Sequence, residues 1–321
     1  MYALELGGED DPFAVREAAS AASEVESLAS GLALADEIDP ERLASLAFTL
    51  RASRVLARTD GTVESAREEL ADAELDREGT VAVRARDVRR TADVDTQLAE
   101  RRLGGVLTDR GYTVDLDDPD HELRALFADD SCILGWLAAE SERGFGTRAP
   151  TKKPFFQPGS MSPLLARALA NIAGARPGET LVDPMCGTGG VLVEAGLVGA
   201  RVVGFDAQSK MARGAATNLD HFLDEHEFAT ARADATRLPL RDDAADAVVF
   251  DAPYGRQSKI EGELDAVVSG ALAEAKRIAP RAVIVGDRSW IDEARAAGWS
   301  VEDSFERRVH RSLVRHIAVL G

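Results

Sequence analysis

Cysteine is nearly absent from this 321-residue chain. Cys132 and Cys186 are its two, and they form no CxxC pair. That argues against a disulfide scaffold or a cysteine-held zinc site and makes a reducing cytoplasm the default. No run of about 18 apolar residues occurs, which excludes a transmembrane helix and with it a membrane partner. The opening MYALELGGEDDPF has no basic segment followed by an apolar one, so no secretory signal is expected. No HxxxH or similar spacing suggests a metal. Lysine is also scarce: it stands at positions 152, 153, 210, 259 and 276, against 33 arginines. What is present, 45% apolar and 29% charged residues, is the composition of a folded protein, long enough for about two domains.

The formal charge is −18. Acidity, few lysines and few tyrosines together suggest a protein adapted to concentrated salt, where a short Debye length screens self-repulsion. The charge is uneven. Residues 1–150 hold 33 acids and 17 bases, whereas 151–321 hold 23 and 21. An acidic chain is a poor nucleic-acid ligand at ordinary salt. In a salt-adapted protein the contrast between regions carries the signal instead. A basic surface cluster is expected from Arg307, Arg308, His310, Arg311, Arg315 and His316.

The first half reads as α+β with a small antiparallel sheet. Strands are expected near 2–6, 46–57, 80–86, 112–117 and 121–139, and helices over 12–30, after Pro40, over 62–77 and over 94–111. A Gly-, Pro- and base-rich stretch, GFGTRAPTKKPFFQPGSMSP, follows and reads as a linker. Beyond it, strand and helix alternate: strands near 181–185, 201–206, 228–234, 247–252 and 281–286, with helices between. Two adjacent strands end the pattern, near 299–309 and 312–320. The alternation predicts a doubly wound, mostly parallel sheet, and the last pair predicts a terminal antiparallel hairpin.

Three features of this half point to chemistry. DPMCGTGG, Asp183–Gly190, places glycines between a strand and a helix, where backbone N–H groups can meet a ligand. No lysine follows as in a P-loop, and Leu192 stands where a dinucleotide fingerprint needs a third small residue. The remaining pattern, Gly187 and Gly189 preceded by Asp183, suits S-adenosylmethionine (SAM); an unliganded glycine turn is the plain alternative. Asp206, at the next strand end, can receive ribose hydroxyls. Asp234, after the third strand, can receive an adenine amino group. Taken singly, either acid would pass as a surface residue or a cap.

DAPYG, Asp251–Gly255, matches the [DN]-x-P-[YF] pattern of methyltransferases acting on exocyclic amines. Such an amine is a poor nucleophile because its lone pair is delocalised into the ring. A carboxylate (Asp251) and a main-chain carbonyl can accept its two N–H bonds and localise the lone pair. Pro253 stiffens the loop, and Tyr254 can stack on a base turned out of its helix. Arg256, Lys259, Lys152, Lys153 and Arg311 are candidate RNA contacts; solvated surface charge is the alternative. Phe155 and Phe156 fit either an RNA surface or packing. Cys186 reads as a small residue of the glycine loop.

With PFFQPGSMSPLLARALANIA (154–173), DPMCGTGG, DAPYG and VHRSLVR (309–315), the sequence resembles the archaeal tRNA (guanine(10)-N2)-dimethyltransferases. The resemblance covers the C-terminal domain. LGGVLTDRGYTVDLDDPDHELR (103–124) is similar in layout to part of a THUMP domain. The fold implied is a Rossmann-like class I methyltransferase domain preceded by a ferredoxin-like and THUMP RNA-binding region. The divisions expected are 1–50 ferredoxin-like, 51–145 THUMP-like, 146–160 linker and 161–321 methyltransferase. The resemblance implies SAM as cofactor, tRNA as partner, a cytoplasmic enzyme without an obligate protein partner, and a helix carrying Arg167 over the methionine end of SAM. Ala252 departs from the proline of many relatives, and the acidity of residues 1–150 is unusual for an RNA-binding module. Another tRNA guanosine, ribosomal RNA and DNA adenine are alternative targets, and a non-catalytic SAM- and RNA-binding protein is the alternative to an enzyme.

Overall fold

The computed structural model describes residues 1–223, 228–254, 261–310 and 313–321. The chain divides into two compact units, Met1–Glu142 and Arg143–Gly321.

The first unit runs β1 (Tyr2–Leu6), α1 (Asp11–Ala18), β2 (Glu26–Ala29), β3 (Leu32–Ala35), α2 (Pro40–Ala44), β4 (Thr49–Asp60), α3 (Val63–Asp72), β5 (Thr80–Asp87), α4 (Thr96–Asp109), β6 (Thr113–Val114), β7 (His121–Ala128) and β8 (Ser131–Glu140). The strands form one sheet in the order β2-β3-β1-β4-β8-β7-β5-β6. It is larger than the small antiparallel sheet expected, and it is mixed, because β5 pairs in parallel with both β6 and β7. The expected division at residue 50 falls inside β4, which hydrogen-bonds to β1 on one side and β8 on the other.

The helix expected over 12–30 ends at Ala18. Its last residues form β2, the first strand of the hairpin β2–β3, which turns at Gly31, whose φ of +76° suits glycine. Alanine is compatible with both states, and pairing of β3 with β1 decides for strand. Asp39 does cap α2, with its Oδ1 accepting from the N–H groups of Glu41 and Arg42. Helices α3 and α4 set Leu70, Leu103 and Leu107 against Phe127 and Trp136 of the sheet.

The second unit runs α5 (Pro163–Ala173), β9 (Thr180–Asp183), α6 (Gly190–Leu197), β10 (Arg201–Asp206), α7 (Ser209–Phe222), β11 (Phe228–Arg232), β12 (Ala247–Asp251), α8 (Glu261–Ile278), β13 (Ala282–Gly286), α9 (Ile291–Ala296), β14 (Val301–His310) and β15 (Leu313–Leu320). The sheet order is β11-β10-β9-β12-β13-β15-β14. The first five strands are parallel, and β15 lies antiparallel between β13 and β14. This is a Rossmann-like methyltransferase sheet with the terminal antiparallel hairpin. Three of the four pairings among the parallel strands join neighbours in chain order, and the fourth, β9 with β12, is where the order reverses; the ends of β9, β10 and β12 open side by side at this switch point, where such sheets bind ligands.

The stretch expected as a linker is built into this unit. Arg148 pairs with Glu194 of α6, and the backbone of Phe155 is bonded by Asn218 of α7. Buried partners convert a segment of linker composition into a wall of the domain.

The ring of Phe155 rests on Gly214 in α7, where a Cβ would overlap it. Gly214→Ala should therefore cost about 1–3 kcal/mol, despite alanine's better helix propensity. Denaturant unfolding of the variant checks this; an unchanged or higher stability would show that the ring moves freely.

Candidate active site

Strand β9 ends at Asp183, and the chain turns through Pro184–Gly189 into α6. Gly187 and Gly189 have φ of +53° and +73°, a region that L side chains avoid. The acids shape the turn. Asp183 Oδ1 accepts from Met185 N–H at 3.0 Å. Asp206, ending β10, accepts from Gly187 N–H at 3.1 Å on Oδ2 and from Gln208 N–H at 2.8 Å on Oδ1. Thr188 faces Ser160 of the QPGSM segment across an Oγ–Oγ distance of 3.2 Å.

A cleft of about 240 Å³ opens here, walled by Gln157–Met161, Asp183, Gly187, Thr188 and Gly190, and by Asp251–Tyr254. Ala252 N–H bonds to Val285 O of β13, which fixes the start of the DAPY turn. The Tyr254 hydroxyl donates to the Asp251 carboxylate, 3.0 Å from Oδ1 and 3.2 Å from Oδ2. The same hydroxyl accepts from Nε of Arg315 at 2.8 Å, and Nη2 of Arg315 stands 3.7 Å from Asp251 Oδ2. Burial pushes the Asp251 carboxyl up to about 6; Asp287 adds to the rise, and Arg315 and the Tyr254 hydroxyl oppose it. Burial and the adjacent Asp251 push the Tyr254 phenol up to about 12, so it remains a donor at neutral pH. Burial also raises Asp183 well above the usual carboxylate range; the Met185 N–H opposes this, and the charges of Asp251 and Asp206 add to it.

The structure brings Asp183, Gly187, Asp251, Pro253 and Tyr254 to one cleft. Gly189 and Asp206 do not line it; Asp206 is tied to the lining through the Gly187 N–H. Asp234 is exposed and does not line the cleft; its Oδ1 accepts from the N–H and hydroxyl of Thr236, a local turn. Lys152 is exposed, whereas Lys153 is only 7% exposed. Lys153 therefore does not belong to an RNA-facing surface: its stem is packed inside the second unit. Arg256, Lys259 and Arg311 lie outside the described residues.

Two residues were not singled out in the sequence. Arg315 was grouped with the basic surface, but it is 4% exposed. The hint was its place, with His316, in the largely apolar run of β15, LVRHIAVL. Asn218 is fully buried. Its Nδ2 donates to Phe155 O and Thr188 O, and its Oδ1 accepts from Phe155 N–H. It ties the QPGSM side of the cleft to the glycine turn. No sequence signal marked it. Among the described residues no group of three or more His, Cys, Asp or Glu could hold a metal ion.

Residues 150–317 match the UPF0020 (RMKL-like) methyltransferase domain. The tRNA (guanine(10)-N2)-dimethyltransferase of Methanothermobacter thermautotrophicus is 41% identical over 251 residues, covering 74% of this chain and 72% of that protein. The chain belongs to the tRNA (guanine(10)-N2)-dimethyltransferase family. A further relative of the same description, from Pyrococcus abyssi, is 28% identical over 248 residues, 75% of this chain and 74% of that one. The crystal structure of TrmN from Thermus thermophilus has a TM-score of 0.51 at 22% identity, covering 99% of this chain and 98% of that one, a likeness of fold. The family's methyltransferase domain thus coincides with the unit that carries the cleft.

Proposed function

We propose that the chain transfers methyl groups from SAM to the exocyclic N2 of a guanosine in tRNA, at position 10, giving N2-methyl- and N2,N2-dimethylguanosine. The observation that carries the reading is the meeting of the DAPY turn with the Asp183–Gly189 turn in one cleft. The residues present fit the cofactor. Asp183 and Asp251 face the cleft, with Asp206 behind the glycine turn, and their mutual repulsion is what a cationic ligand would relieve. SAM, when bound, supplies an electrophilic methyl group on a sulfonium. Asp183, Gly187, Gly189 and Asp206 would hold it, with Asp234 near the adenine from outside the cleft wall.

The remaining work falls to the DAPY turn. Asp251, ionised above about pH 6, would accept one N–H of the target amine. The carbonyl of Ala252 or Pro253 would accept the other, which concentrates the lone pair on nitrogen. Pro253 adds no competing N–H. The ring of Tyr254, held by its hydroxyl, would stack on the base. Catalysis here is mainly orientation and polarisation. Residues 1–142 would form the RNA-gripping part, in the ferredoxin-like and THUMP-like arrangement, with Lys152, Arg256, Lys259 and Arg311 as further RNA contacts. No helix among the described residues is long and apolar enough to cross a membrane, in keeping with a cytoplasmic protein, here taken to act as a monomer.

The test is direct. Purified protein in molar KCl with methyl-labelled SAM and unmodified tRNA transcript should give dimethylguanosine at position 10, identified by nucleoside mass spectrometry. Label in another guanosine keeps the chemistry and changes the target. No label in tRNA, with SAM bound, overturns the tRNA reading.

A further inference from the structure

A second cavity, of about 110 Å³, lies within the second unit on the face of β15 away from Arg315. Strand alternation turns His316 to that face, and its cross-strand neighbours are Gly286 of β13 and Glu306 of β14. Ile284, Ser304, Glu306 and His316 line the cavity from the sheet, and Ser289 and Trp290 line it from the loop before α9. Trp290 is 2% exposed. Its indole Nε1 is buried, and no described residue accepts from it. By contrast, Trp299 Nε1 donates to Leu272 O at 2.9 Å. The indole edge that carries Trp290 Nε1 lies over Gly286, where a Cβ would overlap it. His316 points to that same side of the sheet, so the nitrogen sits at the His316 end of the cavity.

A buried indole N–H ordinarily finds an acceptor, and leaving it unmet costs free energy that a ligand acceptor would return. An acceptor is set in the same cavity: Glu306 meets His316 Nδ1 through Oε1, at 3.3 Å, which leaves Oε2 to accept from a ligand. Ile284 and Ile291 supply apolar walls. One donor and one acceptor against apolar walls suit the edge of a nucleobase, where a carbonyl or ring nitrogen stands beside an N–H. The volume is of the order that takes a single ring, since a cavity of about 150 Å³ holds benzene. The cavity is entered past Ser304 and Glu306, both exposed. Two cations border it. Arg308 is exposed on the same face of β14 as Glu306, and the Arg288 guanidinium, which also pairs with Asp265, stacks 3.9 Å from the Trp290 ring centroid. Either can meet a phosphate.

The cavity and the DAPY turn share one end of the sheet. Gly286 follows Val285, whose carbonyl fixes Ala252 at the start of that turn, and Arg315, the residue before His316, holds Tyr254. The two sites thus flank one strand end on opposite faces. A base turned out to Asp251 brings the nucleotide beside it to the rim of this cavity. We infer that the Trp290 cavity binds the base of a nucleotide adjacent to the target guanosine, with Trp290 Nε1 as donor and Glu306 as acceptor. This rests on the proposed function above and goes beyond it in assigning a second base pocket, which reads what stands beside the target.

The test uses the full chain and tRNA transcripts in which each nucleotide flanking the target guanosine is made abasic in turn. With wild-type protein, one of these replacements should lower kcat/KM for tRNA about 10-fold, the usual worth of a bound base. Trp290→Phe removes the N–H and keeps a ring. It should lower kcat/KM on the intact transcript about 5–10-fold, leave SAM affinity unchanged, and shrink the penalty of that abasic replacement by the same factor. Glu306→Ala, at an exposed position, should shrink the penalty too, and it carries the test if Trp290→Phe does not fold. An abasic penalty as large in the variants as in the wild type overturns the inference. Wild-type indifference to both abasic transcripts also overturns it, and is the outcome for a cavity that takes only water. Failure of the wild type to methylate the intact transcript defeats the proposed function itself.

Discussion

Asp251→Asn should lower methyl transfer about 10²–10⁴-fold while changing SAM affinity little. Asparagine keeps the shape of the side chain but presents one acceptor oxygen and a competing N–H₂ where the target amine must donate. Its neutral amide also polarises the nucleophile less than a carboxylate. Single-turnover transfer and calorimetric SAM binding, measured on the same preparation, separate the two effects. An equal loss of both would remove Asp251 from the amine-binding role. The wild-type rate should carry the same signature in its pH dependence. Burial places the Asp251 carboxyl at about 6. The ionised form is the acceptor, so the rate should fall about tenfold per pH unit below that value and level off above it. A rate independent of pH between 5 and 8 would mean that no carboxyl with that property takes part.

Arg315→Gln should cost about 10–100-fold in kcat at neutral pH and move the acid limb of the profile upward. The sign follows from the contacts. The guanidinium lies 3.7 Å from Asp251 and lowers its proton affinity, so without it a larger fraction of Asp251 is protonated at pH 7. The Tyr254 hydroxyl also loses the 2.8 Å bond that aims it. Arg315→Lys keeps the charge but not the Nε geometry. It should restore the acid limb while recovering only part of the rate. The KM for SAM should stay within its normal range in both variants, because Arg315 acts through Tyr254 and Asp251. A uniform loss of rate at every pH, matched by a loss of thermal stability, would reduce Arg315 to a structural residue.

The divide between what could and could not be read from the sequence follows the range of the interactions. The glycine turn after β9, the DAPY turn after β12 and the Asp39 cap are local. Their residues and the flanking strand or helix lie within a few positions, so pattern and propensity suffice. The hairpin β14–β15 was also legible, because two adjacent strand patterns without a helix between them have few alternatives. Residues 19–30 were not, since alanine and serine fit helix or strand and pairing to β1 decided the matter. Buried polar residues were the least legible. Arg315, Asn218 and Lys153 have the composition of surface residues and are inside because a partner from a distant part of the chain meets them there. Asn218 reaches back 63 positions to Phe155, and Arg315 reaches 61 to Tyr254. Lys153 lay next to an exposed twin, Lys152, and nothing in the pair says which one turns inward.

The position of β15 in the sheet has a consequence for the order in which the domain matures. Strand β14 is joined to the sheet through β15, and β15 also delivers Arg315 to the cleft. A chain that has emerged only as far as β14 holds the glycine turn and Asp251, yet β14 has no docking edge and Asp251 no guanidinium beside it. Long-range pairing is paid for late, after local contacts have formed. The hydrogen-bond network of Asp251, Tyr254 and Arg315 is then complete only when the last strand has paired.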